Sequence, residues 1–107
     1  MNEEYLSFHS EYHDMLIEGI KTSTIRLHSN LKPGDKFKLI RYAEGGPKTF
    51  TFKVTQVNRI RFDEIDNKLA IKEGYCHKKL LQRDLRSIYP EIINSSLLYQ
   101  ISFELMK

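Results

Sequence analysis

The stretch Gly19-Ile20-Lys21-Thr22-Ser23-Thr24-Ile25-Arg26 decides the fold of this chain. An amphipathic run leads into it and ends at Gly19, and an alternation typical of a β-strand follows. Successive side chains of a strand point to opposite faces, so one face presents two hydroxyl groups and a guanidinium group in a row. The Lys21 ammonium group stands at the start of that row. A face this polar predicts that the segment lines a cleft.

Strand and helix patterns alternate on both sides of this stretch. Residues 5–8 read as a first strand, and Ser10 is a candidate cap for a helix that buries Tyr12, Met15 and Leu16. The strand that follows Gly19 is expected to run to about His28. Pro33 and Gly34 predict a turn, which the Asp35 carboxylate is expected to stabilise.

The second half of the chain predicts three more strands and two helical segments. The strands fall near residues 37–41, 50–62 and 97–105, with a candidate bulge near Gln56, and the helical segments cover residues 63–74 and 76–89. Residues 44–47 are expected to form a flexible loop. The resulting order β-α-β-β-β-α-α-β predicts an α+β fold: a small mixed sheet or β-barrel of about five to six strands with helices on its rim.

The composition is that of one ordinary globular domain. The chain of 107 residues is 40% hydrophobic and 29% charged, so we expect residues 1–107 to form a single domain. The formal net charge of +3 suits an anionic partner such as a nucleotide or RNA. Seventeen basic residues are largely offset by fourteen acidic ones, so charge alone does not decide the partner.

The compartment is predicted from features that the sequence lacks. No stretch reaches the roughly 20 apolar residues that span a bilayer, so no membrane partner is expected. The start of the chain shows no secretory signal, and the lone Cys76 excludes an intramolecular disulfide. We therefore expect a cytoplasmic protein; the sequence carries no indication of its oligomeric state.

Four side chains are candidates for chemistry, and each also has a plainer explanation. Lys21 and Thr24 form a candidate base and nucleophile, or a solvated lysine and an ordinary strand residue, and spacing alone favours the second. The Arg26 guanidinium group can bind a phosphate or a carboxylate, or the aliphatic part of the side chain can simply pack over the sheet. Glu73 ends a short helix, where spacing alone favours a surface charge.

The sequence gives weaker indications of a metal site or a nucleic-acid site than of the candidates above. The Cys and His residues do not have the spacing of a zinc site, so we predict no metal and no cofactor. The second helical segment carries a basic face that can be merely solvated or can follow an RNA backbone: Lys78, Lys79, Arg83 and Arg86.

Together these segments resemble an ASCH domain, a PUA-like β-barrel fold. Residues 19–26 resemble the family signature G-x-K-T-x-T-x-R, and residues 32–35 resemble the G-D turn that follows it. Residues 62–65 and 70–74 are similar to the helical insertion before the last strand. The resemblance covers nearly the whole chain and is greatest to the small bacterial N4-acetylcytidine amidohydrolases.

The resemblance implies hydrolysis of the acetyl amide on the exocyclic N4 of cytidine, giving cytidine and acetate. It implies that the catalytic set is Lys21, Thr24 and Glu73, and that no metal takes part. We assign Thr22 to substrate binding, and Arg26 either to substrate binding or to holding Glu73. Two allocations of roles stay open. In one, Lys21 is the base and Thr24 attacks; in the other, Glu73 is the base and water attacks. The substrate can be a nucleoside, a nucleotide or RNA, and the alternative function is that of a non-catalytic RNA-binding module.

Overall fold

The structure is a computed structural model that describes residues 3–5 and 12–106. Its elements in chain order are β1 (Glu3–Tyr5), α1 (His13–Ile17), β2 (Ser23–Arg26), β3 (Lys36–Ala43), β4 (Gly46–Arg61), a 3-10 turn (Phe62–Glu64), α2 (Asn67–Lys72), α3 (Lys78–Ile88) and β5 (Leu97–Leu105). This order confirms the predicted succession of strands and helices. The predicted continuation of the first strand over residues 6–8 and the Ser10 cap lie outside the described residues.

The described strands form one mixed sheet in the order β1-β3-β4-β5-β2. β1 runs parallel to β3, whereas the β3–β4, β4–β5 and β5–β2 pairs are antiparallel. The four antiparallel strands curl into a half-barrel, whereas the resemblance to an ASCH domain implied a β-barrel. The edge strands are short, with three residues in β1 and four in β2, and within residues 3–5 and 12–106 they do not pair with each other.

The long β3–β4 hairpin corrects one prediction and confirms another. The pairs Tyr42–Pro47 and Ala43–Gly46 leave only Glu44 and Gly45 in the turn, so the predicted flexible loop over residues 44–47 is wrong. Two-residue hairpin turns favour positive φ, and Gly45 has a φ of +90°. Further along β4, the register with β5 shifts between Val54 and Gln56, which confirms the predicted bulge.

Two apolar clusters pack on opposite faces of β5, because side chains alternate along a strand. The first contains Ile101 and Phe103, which meet the rings and aliphatic groups of β3 and β4; the second contains Leu98, which packs beneath α2 and α3. Leu81 and Leu85 are buried in this second cluster and hold α3 against the sheet. α3 therefore packs in the same cluster as Ile25 of β2, the strand that carries several of the candidate residues.

None of the helices within the described residues is long and apolar enough to cross a membrane.

Candidate active site

The candidate site forms where the end of α2 meets the start of β2. Asp66 caps α2 by accepting a hydrogen bond from the Leu69 amide at 2.8 Å, and Gly74 ends the helical segment with a φ of +89°. The Thr22 amide donates to the Lys72 carbonyl at 3.0 Å. Since both segments are held by backbone hydrogen bonds, their side chains meet in a fixed arrangement.

Lys21 and Glu73 form a buried ion pair at this junction. The Lys21 Nζ lies 3.3 Å from Glu73 Oε1 and donates a second hydrogen bond to the Glu73 carbonyl oxygen at 2.8 Å. Only 5% of Lys21 and 1% of Glu73 are exposed to solvent. The expectation from spacing alone, that Glu73 is a surface charge, is therefore wrong, because the carboxylate turns inward beneath β2.

Burial shifts the two pKa values towards each other. Desolvation lowers the pKa of Lys21, although the negative charge of Glu73 opposes this effect. Desolvation raises the pKa of Glu73, although the charge of Lys21 and the hydrogen bond from Ser23 oppose it. Because the pKa of the lysine is lowered and that of the glutamate is raised, proton transfer between the two groups costs less free energy than between the free side chains.

A cavity of about 310 Å³ opens beside this pair. Its lining includes four residues singled out in the sequence, Lys21, Thr24, Arg26 and Glu73, together with aromatic and aliphatic groups from α3 and its surroundings. The volume is at the lower end of the range for small-molecule sites, which is roughly 300–1,000 Å³. The site is therefore matched in size to a small ligand.

The cavity does not include every residue predicted to bind substrate. The Thr22 side chain is exposed and is not part of the lining, so its role stays a prediction. Arg26 does line the cavity, where desolvation lowers its pKa and the nearby Tyr89 and Glu73 oppose that shift. Its guanidinium group adds positive charge to the region in which Thr24 lies.

Ser23 is a residue of the site that the sequence did not reveal. Its hydroxyl donates a hydrogen bond to Glu73 Oε2, while the Ile25 amide also contributes to holding the carboxylate. Strand alternation does place Ser23 and Ile25 on the same face. The signal was therefore present, but the partner of that face could not be known before α2 was placed.

A second polar group lines the same cavity. The Tyr12 and Tyr75 hydroxyl oxygens are 2.8 Å apart, and the Tyr75 hydroxyl donates to Asp84 Oδ2 at 2.8 Å. Burial, followed by the hydrogen bonds to Tyr12 and Asp84, raises the pKa of Tyr75. Asp84 lies on α3 beside two buried leucines, and no sequence motif marked it.

The predicted basic face of α3 points away from the cavity. With about 100° per residue, residues 79, 83 and 86 cluster on one side of the helix, whereas residues 81, 84, 85 and 88 occupy the other. Lys78 lies two turns before Leu85 and so stands at the boundary between the two sides. The Arg86 guanidinium lies 4.7 Å from the centre of the Phe62 ring and donates to Asn94. An RNA strand on this face would therefore contact a surface separate from the candidate site.

No cluster of three or more His, Cys, Asp and Glu side chains is placed to hold a metal ion in the part of the chain that the structure describes. The absence of a metal from the reaction stays a prediction.

Comparison with known proteins identifies the architecture through structure alone. No model of a known protein family matches the sequence, and no curated protein is similar to it. A solved structure of an ASCH domain from Lactobacillus crispatus JV V101 superposes with a TM-score of 0.78 at 16% sequence identity, over 97% of this chain and 79% of that one. The chain has the ASCH fold.

A second structure has the same architecture. It is a protein of Enterococcus faecalis V583 assigned to DUF984, with a TM-score of 0.69, 16% identity, and coverage of 99% of this chain and 76% of that one. The predicted ASCH fold is thus confirmed. At this level of identity the fold is shown, and the chemistry of the site must be argued from its own residues.

Proposed function

We propose that this ASCH-fold protein is an amidohydrolase that removes the acetyl group from N4-acetylcytidine to give cytidine and acetate. The observation that carries the proposal is that the buried Lys21–Glu73 pair and the buried residue Thr24 line the same cavity, which is sized for a small ligand. Amide hydrolysis needs a nucleophile, a group that takes its proton, and a donor to the leaving amine. These three residues offer all of those roles.

The lowered pKa of Lys21 supports its use as the base. An amine becomes a proton acceptor at neutral pH only when its surroundings disfavour the ammonium form, and desolvation in this cavity does so. Arg26 adds to the effect, because its positive charge also lowers the pKa of Lys21. Glu73 opposes this shift, but desolvation is the larger cause, so the net direction is a lowered pKa of Lys21.

In the favoured sequence, Lys21 takes the Thr24 proton as the Thr24 oxygen bonds to the acetyl carbon. The tetrahedral intermediate then collapses, the bond from carbon to N4 breaks, and the amine of cytidine leaves with a proton passed through the Lys21–Glu73 pair. Water next attacks the acetyl-threonine ester and gives up one proton to the pair. The pair returns that proton to the Thr24 oxygen as the ester bond breaks, and the acetic acid formed loses its remaining proton to solvent as acetate. The Arg26 guanidinium faces the negative charge that develops on the carbonyl oxygen.

The second allocation uses the same residues differently. Glu73, held as a carboxylate by Ser23, takes a proton from water, and that water attacks the acetyl carbon while Lys21 stays charged. The bond from carbon to N4 then breaks as Glu73 returns the proton to the leaving amine, and the acetic acid formed loses its remaining proton to solvent as acetate. Thr24 here positions the substrate. The effect of removing the Thr24 hydroxyl separates the two sequences.

We assign substrate binding to Arg26 in the cavity and to Thr22, which follows Lys21 in the chain, with a small nucleoside as the partner. We place the reaction in the cytoplasm and propose that it needs no cofactor.

The test is incubation of the purified protein with N4-acetylcytidine, with cytidine measured by chromatography. Lys21→Met, Thr24→Val and Glu73→Gln keep side-chain volume while removing the reactive group, and each is expected to abolish turnover. Thr49→Val is the matched control for Thr24→Val, because Thr49 is exposed on β4 away from the cavity.

Each outcome has a distinct meaning. If Thr24→Val keeps its turnover while the other two variants lose theirs, water rather than Thr24 attacks the acetyl carbon. Full activity in all three variants contradicts the proposed catalytic set. No turnover by folded wild-type protein contradicts the amidohydrolase, and salt-sensitive RNA binding that weakens when Lys78, Lys79, Arg83 and Arg86 are neutralised would then favour the RNA-binding module.

A further inference from the structure

The hydrogen-bond chain formed by Tyr12, Tyr75 and Asp84 lines the cavity but has no role in the acetyl transfer described above. A phenol carries one proton, and Tyr75 gives its proton to Asp84 Oδ2. Tyr12 must therefore donate to the Tyr75 oxygen in the 2.8 Å contact between the two hydroxyls. Every donor points towards Asp84, so the chain ends at a carboxylate that can only accept.

Asp84, which lines the cavity, keeps acceptor capacity beyond its bond to Tyr75. A carboxylate has about four lone-pair sites, and the Tyr75 hydroxyl occupies one of them. The nearest cation to Oδ1 is Arg83 Nε at 3.6 Å, which is too long for a hydrogen bond, and that arginine side chain is 72% exposed. Within residues 3–5 and 12–106, Oδ1 accepts no side-chain hydrogen bond.

The charges around the cavity limit what such a carboxylate can bind. Lys21 and Arg26 already line the cavity, which disfavours a cationic ligand group. An anionic phosphate next to Asp84 would be repelled in turn. The group that suits this position is a neutral hydroxyl donor, and carboxylates bind ribose hydroxyls in the same way in dinucleotide sites.

We propose that Asp84, oriented by Tyr75, binds the ribose hydroxyls of a neutral ribonucleoside, an inference that rests on the proposed function and makes the free nucleoside the substrate. The acetylated base then extends towards Lys21 and Thr24, and the sugar lies against α3. Asp84 is thereby a specificity-determining residue, and it acts in binding rather than in the chemical step.

Binding of cytidine and of 2′,3′-dideoxycytidine, measured by calorimetry, tests this inference without any hydrolysis. Wild-type protein is expected to bind cytidine on the order of tenfold to a hundredfold more tightly, which is the loss expected when a charge-assisted hydrogen bond cannot form. Asp84→Asn should remove most of that preference, because the amide can still accept from Tyr75 but has lost its charge. Asp63→Asn makes the identical change in a carboxylate paired with Arg61 outside the cavity, and it should keep the preference.

Equal affinity of wild-type protein for the two nucleosides would overturn the inference, and so would binding of neither. A preference that survives in Asp84→Asn would overturn it as well. If Asp84→Asn fails to fold, Tyr75→Phe replaces it, and the preference should again decrease. Preference for cytidine without release of acetate would contradict only the amidohydrolase, whereas acetate release without that preference would contradict only the ribose site.

Discussion

The Lys21 Nζ reaches both ends of Glu73, with Oε1 at 3.3 Å and the carbonyl oxygen at 2.8 Å. The second contact is structural, because it satisfies a carbonyl at the end of α2 that has no partner inside the helix. One side chain thus closes a helix and supplies a buried amine to a cavity. Stability and chemistry are coupled at this lysine.

The stability of the fold should respond unequally to single and double replacement of the pair. Lys21→Met leaves Glu73 buried without its cation, and we expect it to lower the free energy of unfolding by about 3–5 kcal/mol. Lys21→Met combined with Glu73→Gln should recover much of that loss, because no uncompensated charge is left buried. Urea unfolding of wild-type protein, both single variants and the double variant measures the difference.

The directions of the two pKa shifts predict how the free energy of unfolding changes with pH. The folded state holds the Glu73 proton above the ordinary pKa of 4.5, so stability falls as pH rises from 4.5 through the raised pKa. The folded state releases the Lys21 proton below the ordinary pKa of 10.5, so stability rises again as pH approaches 10.5. The double variant should gain most over wild type at neutral pH, and a difference that does not change with pH would contradict the shifts.

Ser23→Ala should separate the two allocations of the base. The Ser23 hydrogen bond lowers the pKa of Glu73, so its loss raises that pKa and leaves the carboxyl neutral over a wider range. If Glu73 is the base, the acid limb of kcat/KM moves to higher pH. If Lys21 is the base, less negative charge beside it lowers its pKa, and the limb moves to lower pH, which is the result we expect.

The control for this profile is Ser102→Ala. Ser102 pairs with Ser23 across β2 and β5, so its replacement removes a hydroxyl from the same sheet and leaves the Ser23–Glu73 hydrogen bond in place. Its acid limb should coincide with that of wild type. An unchanged limb in Ser23→Ala would mean that the Ser23 hydrogen bond does not set the protonation of the pair.

Local patterns predicted most of the fold. The alternation in residues 97–105 predicted the bounds of β5, and the change of phase near Gln56 predicted the bulge. Pro33 and Gly34 marked a turn in which Asp35 accepts from the Lys32 amide at 2.9 Å, as expected. Each of these features depends on residues close together in the chain, so each is visible in sequence.

The site could be predicted only in part, because it depends on contacts between distant segments. The signature around Lys21 and Thr24 marked two of its members. The inward turn of Glu73 depends on how α2 docks on β2, 52 residues from Lys21 in sequence, and the spacing within α2 does not reveal it. Asp84 and Tyr75 meet only after α3 has folded back across the cavity.

Gly74→Ala should displace Glu73 and destabilise the fold more than an alanine at another positive-φ glycine. Gly74 has a φ of +89°, and an added Cβ would lie 2.9 Å from the Met15 sulfur. The left-handed conformation alone costs an L-residue about 1–2 kcal/mol, and the contact with Met15 adds to that cost. Gly19→Ala is the matched control, since Gly19 has a φ of +78° and nothing within 4 Å of the added Cβ.

Urea unfolding should show the larger loss of stability in Gly74→Ala, and adding Met15→Ala should restore part of that loss because it removes the sulfur. Equal losses at both glycines would show that the chain end of α2 moves freely, and the fixed placement of Glu73 beside Lys21 would then be contradicted.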